Sequence, residues 1–426
     1  MVKIISSLML AACGATYAAT PEIESFNVSQ NPETHIVDVS FSLSAKAVVT
    51  LDVLTNGVTV GADKYANFRD SAAPGGGSPI GKVTSAGPHL WRWRPSRTLP
   101  RMTLTNGVVS VQLRAWSLDA PPDYMVLDSA SPSNATFYVS AADLPEGGIK
   151  TPSDPTNADE IAALNTDVYR TTKLVLRKIP AAGVKWRMGS LTSEADRNDN
   201  ETPHYVTLTN DYYVSIYPMT ERQYSKFVAT YSKDGPILPK MWLAYTAYRG
   251  AFDTGLYCWP ENGHDVSPTS AFGVLRRKTG FRFDFLTEAE WEYACRAGTT
   301  GRWCDNSSNP SNVAWSSSSF SSTTNAKQVG LKQPNAWGLY DMHGNIYEWV
   351  LDQYGAYGSD SVIAPEGATD NITERVARGG TCRRPYKHTR SAARYHYNGT
   401  QFSDTVNGSS WGVRISCPAS LPDWLR

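Results

Sequence analysis

The sequence has no surplus of either charge: 40 Lys and Arg stand against 40 Asp and Glu in 426 residues, with no basic run or stripe. A positive field is what draws proteins to nucleic acid and anionic membranes, so nucleic acid is excluded as a partner. Beyond the first residues no stretch approaches the roughly 20 apolar residues that span a bilayer, which excludes a transmembrane segment. The seven histidines are scattered without metal-ligand spacing, and no nucleophile triad, phosphate loop or dinucleotide fingerprint is found. Nor is there a repeat of constant period, which excludes a solenoid. What the chain does carry is 41% apolar and 11% aromatic residues, including 13 Trp, enough to bury more than one core.

The start of the chain reads as an export signal over residues 1–19. Met1-Val2-Lys3 is basic, the stretch from Ile4 to Ala12 is apolar and short, and Thr16-Tyr17-Ala18 is a small-residue cleavage site. Leu10-Ala11-Ala12-Cys13 is a rival lipoprotein box that would tether the exported chain through Cys13. Either reading places the protein in the periplasm, at the cell surface or outside the cell. Cys258, Cys295, Cys304, Cys382 and Cys417 then meet an oxidising compartment, and their odd number leaves one thiol unpaired.

Patterning divides the rest. Residues 20–140 show no helical period. Ile36-Val37-Asp38-Val39-Ser40-Phe41-Ser42-Leu43 alternates as a half-buried strand does, and the stretches from Val48 to Leu54 and from Val108 to Trp116 read likewise. Asn56-Gly57 supplies the positive φ that a hairpin turn needs. An all-β sandwich of immunoglobulin or fibronectin type follows. Residues 141–170, opening with Leu144-Pro145-Glu146-Gly147-Gly148 and Thr151-Pro152-Ser153-Asp154-Pro155, read as a linker, and residues 171–426 form the second domain. There Thr287 and Glu290 make a capping box, with Trp291 and Cys295 on one helical face. Glu288, Glu290 and Glu292 are expected to serve the helix start and its dipole. A further helix is expected over residues 221–231, with Tyr224 and Phe227 turned inward.

The densest run is Asn335-Ala336-Trp337-Gly338-Leu339-Tyr340-Asp341-Met342-His343-Gly344-Asn345-Ile346-Tyr347-Glu348-Trp349, a compact loop rich in oxygen donors and pinned by aromatics. Mixed carboxylate and carbonyl oxygens are what Ca²⁺ prefers. Together with Leu286-Thr287-Glu288-Ala289-Glu290-Trp291-Glu292-Tyr293, Arg378-Gly379-Gly380 and Gly412-Val413-Arg414, the run resembles the formylglycine-generating enzyme (sulfatase-modifying factor) family. Trp186-Arg187-Met188-Gly189-Ser190 and Asn200-Glu201-Thr202-Pro203-His204 resemble the opening of that domain, and the likeness spans roughly residues 175–417. The resemblance implies an irregular α+β domain related to the C-type lectin fold.

It also implies site residues. Calcium would be held by Asp341, Gly344, Ile346 and Glu348, two through side chains and two through backbone carbonyls. A second site is suggested only by Asn312 and Val313. Cys295 would pair with Cys417, as in extracytoplasmic relatives, although Cys417 lies two residues beyond the family position; Cys258 with Cys304 is a further pairing. Enzymatic relatives oxidise a sulfatase cysteine to formylglycine with oxygen and a copper ion held by two cysteines. In the corresponding interval, Gly379 to Arg394, this chain has one, Cys382. Tyr386 stands at the second copper position counted back from Arg394, and Arg384 at the first counted forward from Gly380. One thiolate cannot give Cu(I) its two-thiolate coordination. Cys382 beside Arg383 and Arg384 remains a catalytic candidate through a lowered pKa.

The same segment suggests recognition. Arg383, Arg384, Tyr386, His388, Tyr395, His396, Tyr397, Phe402 and Trp411 supply the Tyr-rich, adaptable composition of binding surfaces. The expectation is an exported, calcium-stabilised module that binds a protein or glycan, a sulfatase-like polypeptide among the candidates. The alternative is a formylglycine-generating oxidase, which requires copper, or another metal-dependent oxidoreductase of the same superfamily.

Overall fold

A computed structural model describes residues 3–8, 20–61, 67–97, 108–229, 237–250, 265–307, 309–317, 325–367, 374–398 and 411–425. The chain divides into two compact units, one of residues 1–126, 135–149 and 419–426, the other of residues 127–134 and 150–418.

The first unit is built from two β-sheets around one core. In one sheet Val37–Leu43 lies between Ile23–Gln30 and Gly87–Trp93, and Arg69–Asp70 closes the far edge. In the other, Ala47–Thr55 pairs with Val108–Trp116, Val58–Thr59 and Lys82–Thr84. Lys3–Leu8 lies parallel to Val108–Trp116, with Lys3 opposite Val108. Strict alternation along Val37–Leu43 sends Val37, Val39, Phe41 and Leu43 inward, where they meet Val49, Leu51 and Val53 of the other sheet. Trp91 packs edge-on against Phe41 at 4.9 Å, and Trp93 stacks on Phe68 at 5.5 Å. Each such burial contributes about 1.5–3 kcal/mol. Asn56 and Gly57, at φ 52° and 80°, make the tight hairpin turn that their sequence suggests.

The second unit is mixed α and β, with short helices and long connections. Part of the stretch read as a linker is regular: Asn157 caps the helix Ala158–Ala163 and Asp167 caps Val168–Thr171. Both are the short polar side chains that accept from a first-turn N–H. The helix expected over 221–231 is Glu221–Phe227, closed at its start by a Thr220/Gln223 capping box, with Phe227 buried and Tyr224 half-buried. Lys173–Ile179, Tyr212–Ser215, Ile415–Pro418 and Asp284–Phe285 lie side by side in one sheet. A second sheet has the order Tyr395–Asn398, Glu374–Arg378, Tyr347–Gln353, Trp411–Gly412. Against it packs the helix Glu288–Arg296, whose capping box is formed as expected: Thr287 Oγ1 accepts from Glu290 N–H at 3.2 Å and Glu290 Oε2 from Thr287 N–H at 2.8 Å. No helix among the described residues is long and apolar enough to cross a membrane.

Candidate functional site

Glu288 and Glu292 lie one helical turn apart, and both are buried. They do not serve the helix dipole, as their sequence position suggests; they anchor an ion-pair network. Arg378 bridges them, with Nε 3.0 Å from Glu288 Oε1 and Nη2 2.6 Å from Glu292 Oε2. Arg394 grips Glu288 with two parallel hydrogen bonds of 2.8 Å. Arg296 donates to Glu292 at 2.9 Å. Arg378 Nη1 also donates to the carbonyls of Ser391 and Ala393, each at 3.0 Å, and the Arg394 guanidinium covers the Tyr357 ring at 3.6 Å. Burial opposes ionisation of Glu288, but Arg394 and Arg378 outweigh it and hold the carboxyl below its ordinary range. Asp352 shows the reverse balance. Its Oδ2 accepts from Glu288 N–H at 2.6 Å, yet burial and the nearby Glu288 charge push its carboxyl well up.

Two further buried pairs extend this pattern. Arg390 forks onto Glu201 at 2.6 and 2.8 Å and reaches Glu194 at 2.7 Å. Arg414 forks onto Glu348 at 2.8 and 3.0 Å, while Trp291 Nε1 donates to Glu348 Oε2 at 2.6 Å. The remaining Arg414 donors satisfy the carbonyls of Ser215 and Tyr340. Segments singled out in the sequence thus supply partners in buried ion pairs through Glu201, Glu288 with Glu292, Glu348, Arg378 and Arg414, and planar bidentate geometry explains the choice of Arg over Lys.

On the opposite face of the Tyr347–Gln353 strand the side chains are rings. Glu348 points to Arg414, so its neighbours Tyr347 and Trp349 point away from it. Trp411 stacks against Trp349 at 4.6 Å, Tyr347 at 4.7 Å and Tyr397 at 5.5 Å, with interplanar angles of 21°, 25° and 28°. Tyr347 meets Tyr395 at 4.8 Å, and Tyr395 hydroxyl bonds His388 Nδ1. His396, between Tyr395 and Tyr397, points to the other side of the sheet and so does not belong to the Trp411 face; there it stacks on Tyr354 at 3.8 Å and pairs with Glu374 at 3.0 Å. Tyr347 and Trp349 are buried, Tyr395, Tyr397 and Trp411 half-buried, and His396 exposed.

With this geometry in view, comparison with known proteins is direct. A model of the sulfatase-modifying factor enzyme 1-like domain matches residues 178–415. The chain belongs to that family. It is 26% identical over 242 residues to the serine/threonine-protein kinase pkn1 of Chlamydia pneumoniae, covering 55% of this chain and 36% of that protein. It is 34% identical over 147 residues to the formylglycine-generating enzyme of Mus musculus, covering 30% of this chain and 38% of the enzyme. The chain thus spans little more than a third of these relatives' lengths. The solved structure of PvdO from Pseudomonas aeruginosa aligns with 57% of this chain and 94% of its own, at 23% identity and a TM-score of 0.43.

Within the sulfatase-modifying factor domain, the residues expected to hold calcium are together but unequal. Both Glu348 oxygens already accept from Arg414 and Trp291. Asp341 sits at φ 56°; its Oδ2 accepts from Gly330 N–H at 2.7 Å, and its buried Oδ1 has no hydrogen-bond partner. Among the described residues no three His, Cys, Asp or Glu side chains gather as a metal site. A cation here would rest on the orphaned Asp341 oxygen and on backbone carbonyls. Asn312 O accepts from Gln333 N–H at 3.0 Å, and Val313 packs with Trp303 and Cys304.

Burial pushes the Asp341 carboxyl up to about 6. The folded state then holds this proton more tightly than the unfolded chain does, so stability falls as pH rises from about 4 through about 6 and stays lower above. Asp341→Asn is expected to flatten that limb, a change on the order of 2 kcal/mol between pH 4 and pH 8 in urea titrations. A limb unchanged by the substitution would assign the pH dependence elsewhere.

Three expectations need correction. Cys295 and Cys417 are separate buried thiols, not a disulfide. Cys295 Sγ lies 3.7 Å from His343 Nε2, whereas Cys417 stands on the Ile415–Pro418 strand opposite Tyr213, so the two-residue offset removes it from the helix. Cys382 is not an activated thiol: it is buried, and that burial pushes its pKa up despite Arg383. Arg383 is buried too, with Nη2 3.5 Å from Asn325 Oδ1, and does not belong to the exposed face. Of the other expected face residues, Arg384 and His388 are half-buried and Tyr386 is 36% exposed, while Phe402 lies outside the described residues, as does Cys258. Burial lowers His388 to a pKa of about 4, so its ring is neutral near pH 7. Sequence reasoning missed Tyr347 and Trp349 as the floor of this face, although their alternation with Glu348 along a strand carried the signal.

Proposed function

We propose that the sulfatase-modifying factor domain is a recognition module that binds a protein or glycan through the face centred on Trp411. The observation that carries this reading is the stack of Trp349, Tyr347 and Tyr397 around Trp411. Trp411 and Tyr397 are partly exposed over the buried Tyr347 and Trp349, and rings held by stacking lose little entropy when a ligand docks. Tyr395 and Tyr386 extend the face with hydroxyl groups. Export, expected from the first residues, belongs to the same proposal. So does a structural Ca²⁺ ligated by Asp341 Oδ1 and the carbonyls of Gly344 and Ile346, which would relieve the buried Asp341 charge.

The competing reading, a cysteine oxidase, draws on the likeness to formylglycine-generating enzymes. The residues at the copper position do not fit that metal. The interval from Gly379 to Arg394 contains a single thiol, buried, with Tyr386 where the resemblance puts the second.

Glycan and peptide arrays probed with the full chain test the proposal. A ligand is expected whose affinity falls about tenfold or more in Trp411→Ala and Tyr397→Ala, as for aromatic anchors generally. Absence of any ligand, or one indifferent to both substitutions, would overturn it.

A further inference from the structure

Cys295 occupies the buried side of the last turn of the Glu288–Arg296 helix. The helix stops where Ala297 and Gly298 turn left-handed, at φ 45° and 91°, and Thr299 hydrogen-bonds back to the Arg296 carbonyl through both N–H and hydroxyl. Gly301 N–H then donates to the Asn306 side chain at 3.1 Å and Asn306 N–H to the Trp303 carbonyl at 3.0 Å. This reversal carries Cys304 back beside the helix it has just left.

The imidazole of His343 fixes both ends. His343 Nδ1 is bonded to the Thr389 carbonyl at 2.8 Å, and Nε2 accepts from Cys304 N–H at 3.1 Å. Cys295 Sγ lies 3.7 Å from the same Nε2. Both thiols are buried, Cys295 completely and Cys304 at 8% exposure, and Cys304 packs with Trp303 and Val313. A charge on Cys304 would act on Cys295, another sign of their proximity.

We propose that Cys295 and Cys304 form a redox-active dithiol that closes to an intramolecular disulfide, independent of the ligand-binding reading above. The oxidant is a small-molecule disulfide of the glutathione type. Burial raises the Cys304 thiol to about 12, so little of it is thiolate and the step is slow; as the more accessible of the two, Cys304 loses its proton and attacks one sulfur of the oxidant, releasing one thiol and leaving a mixed disulfide. Cys295, deprotonated in turn, attacks Cys304 Sγ and expels the second thiol. Two protein protons end on two released thiols, and two electrons pass from the cysteines to the oxidant. The closed loop would pin Arg302, whose carbonyl accepts from Ser391 N–H at 2.7 Å and so supports the segment bearing Arg390 and Arg394.

The sequence makes the test clean, because every cysteine falls on a different tryptic peptide: Cys295 ends its peptide before Arg296, and Cys304 follows the cleavage after Arg302. The folded full chain is incubated with oxidised glutathione, blocked with N-ethylmaleimide, digested without reduction and analysed by mass spectrometry. The expected result is a linked pair of the Cys295 and Cys304 peptides, loss of both from the alkylated pool, retention in Cys417→Ser and absence in Cys304→Ser. Cys295 linked to the Cys417 or Cys258 peptide, or both Cys295 and Cys304 recovered fully alkylated after denaturation, would overturn the proposal.

Discussion

Arg378→Ala is expected to destabilise the second unit by about 3–5 kcal/mol, the usual consequence of removing one partner from a buried ion pair. Three features make the estimate specific. The guanidinium is fully buried, it spans Glu288 and Glu292, and it donates to two carbonyls of the following segment. Its loss leaves the buried Glu292 carboxylate with Arg296 and Gly189 N–H as partners and strips the Ser391 and Ala393 carbonyls of their shared donor. Arg378→Lys is expected to recover little, because an ammonium cannot reach two carboxylates and two carbonyls in one plane. Urea unfolding followed by tryptophan fluorescence measures both. If Arg378→Lys were as stable as the parent chain, the forked geometry would have no energetic role.

Gly344→Ala is the second large effect, expected to cost about 3 kcal/mol or more. Gly344 sits at φ 90° and pairs with Trp315 in a two-strand bridge, where a Cβ would lie 1.8 Å from the Trp315 carbonyl oxygen. Positive φ costs a side chain on the order of 1–3 kcal/mol, and forced overlap with backbone adds a similar amount. The oxygen belongs to a paired strand and cannot rotate away, so the bridge itself must open. Thermal unfolding of the substituted chain is expected at a midpoint lower by several degrees; an unchanged midpoint would mean that the loop shifts at little cost.

The local grammar of the fold was legible. Alternation at Val37–Leu43, the Asn56-Gly57 turn and the Thr287/Glu290 capping box each follow from chemistry confined to a few neighbouring residues. What was not legible was the partner of each buried charge. Glu288 and Arg394 lie far apart in the chain, and nothing local distinguishes a glutamate that caps a helix from one that is buried against a distant arginine. The same holds for Glu348, which the resemblance reads as a calcium ligand and which is instead held by the distant Arg414. Cysteine pairing failed for a related reason: a two-residue offset keeps Cys417 on one face of its strand but moves it along that strand, away from the helix carrying Cys295. The aromatic face was read from its composition, but its floor, Tyr347 and Trp349, lies on another strand.

These corrections share a theme. The motifs that mark the family in this chain are largely spent on its interior, as arginine forks, capping and glycine turns. The proposed recognition surface is the ring-bearing side of the sheet, and Cys382 is buried.

The most direct test of that account is to offer the full chain, loaded with Cu(I) under oxygen, a cysteine-bearing peptide of the sulfatase type and to follow the peptide by mass spectrometry. The account predicts an unchanged peptide and no oxygen uptake beyond that of free copper. Conversion of the cysteine to an aldehyde, abolished by Cys382→Ala, would contradict it and make this chain an oxidase with a copper site unlike the two-thiolate one.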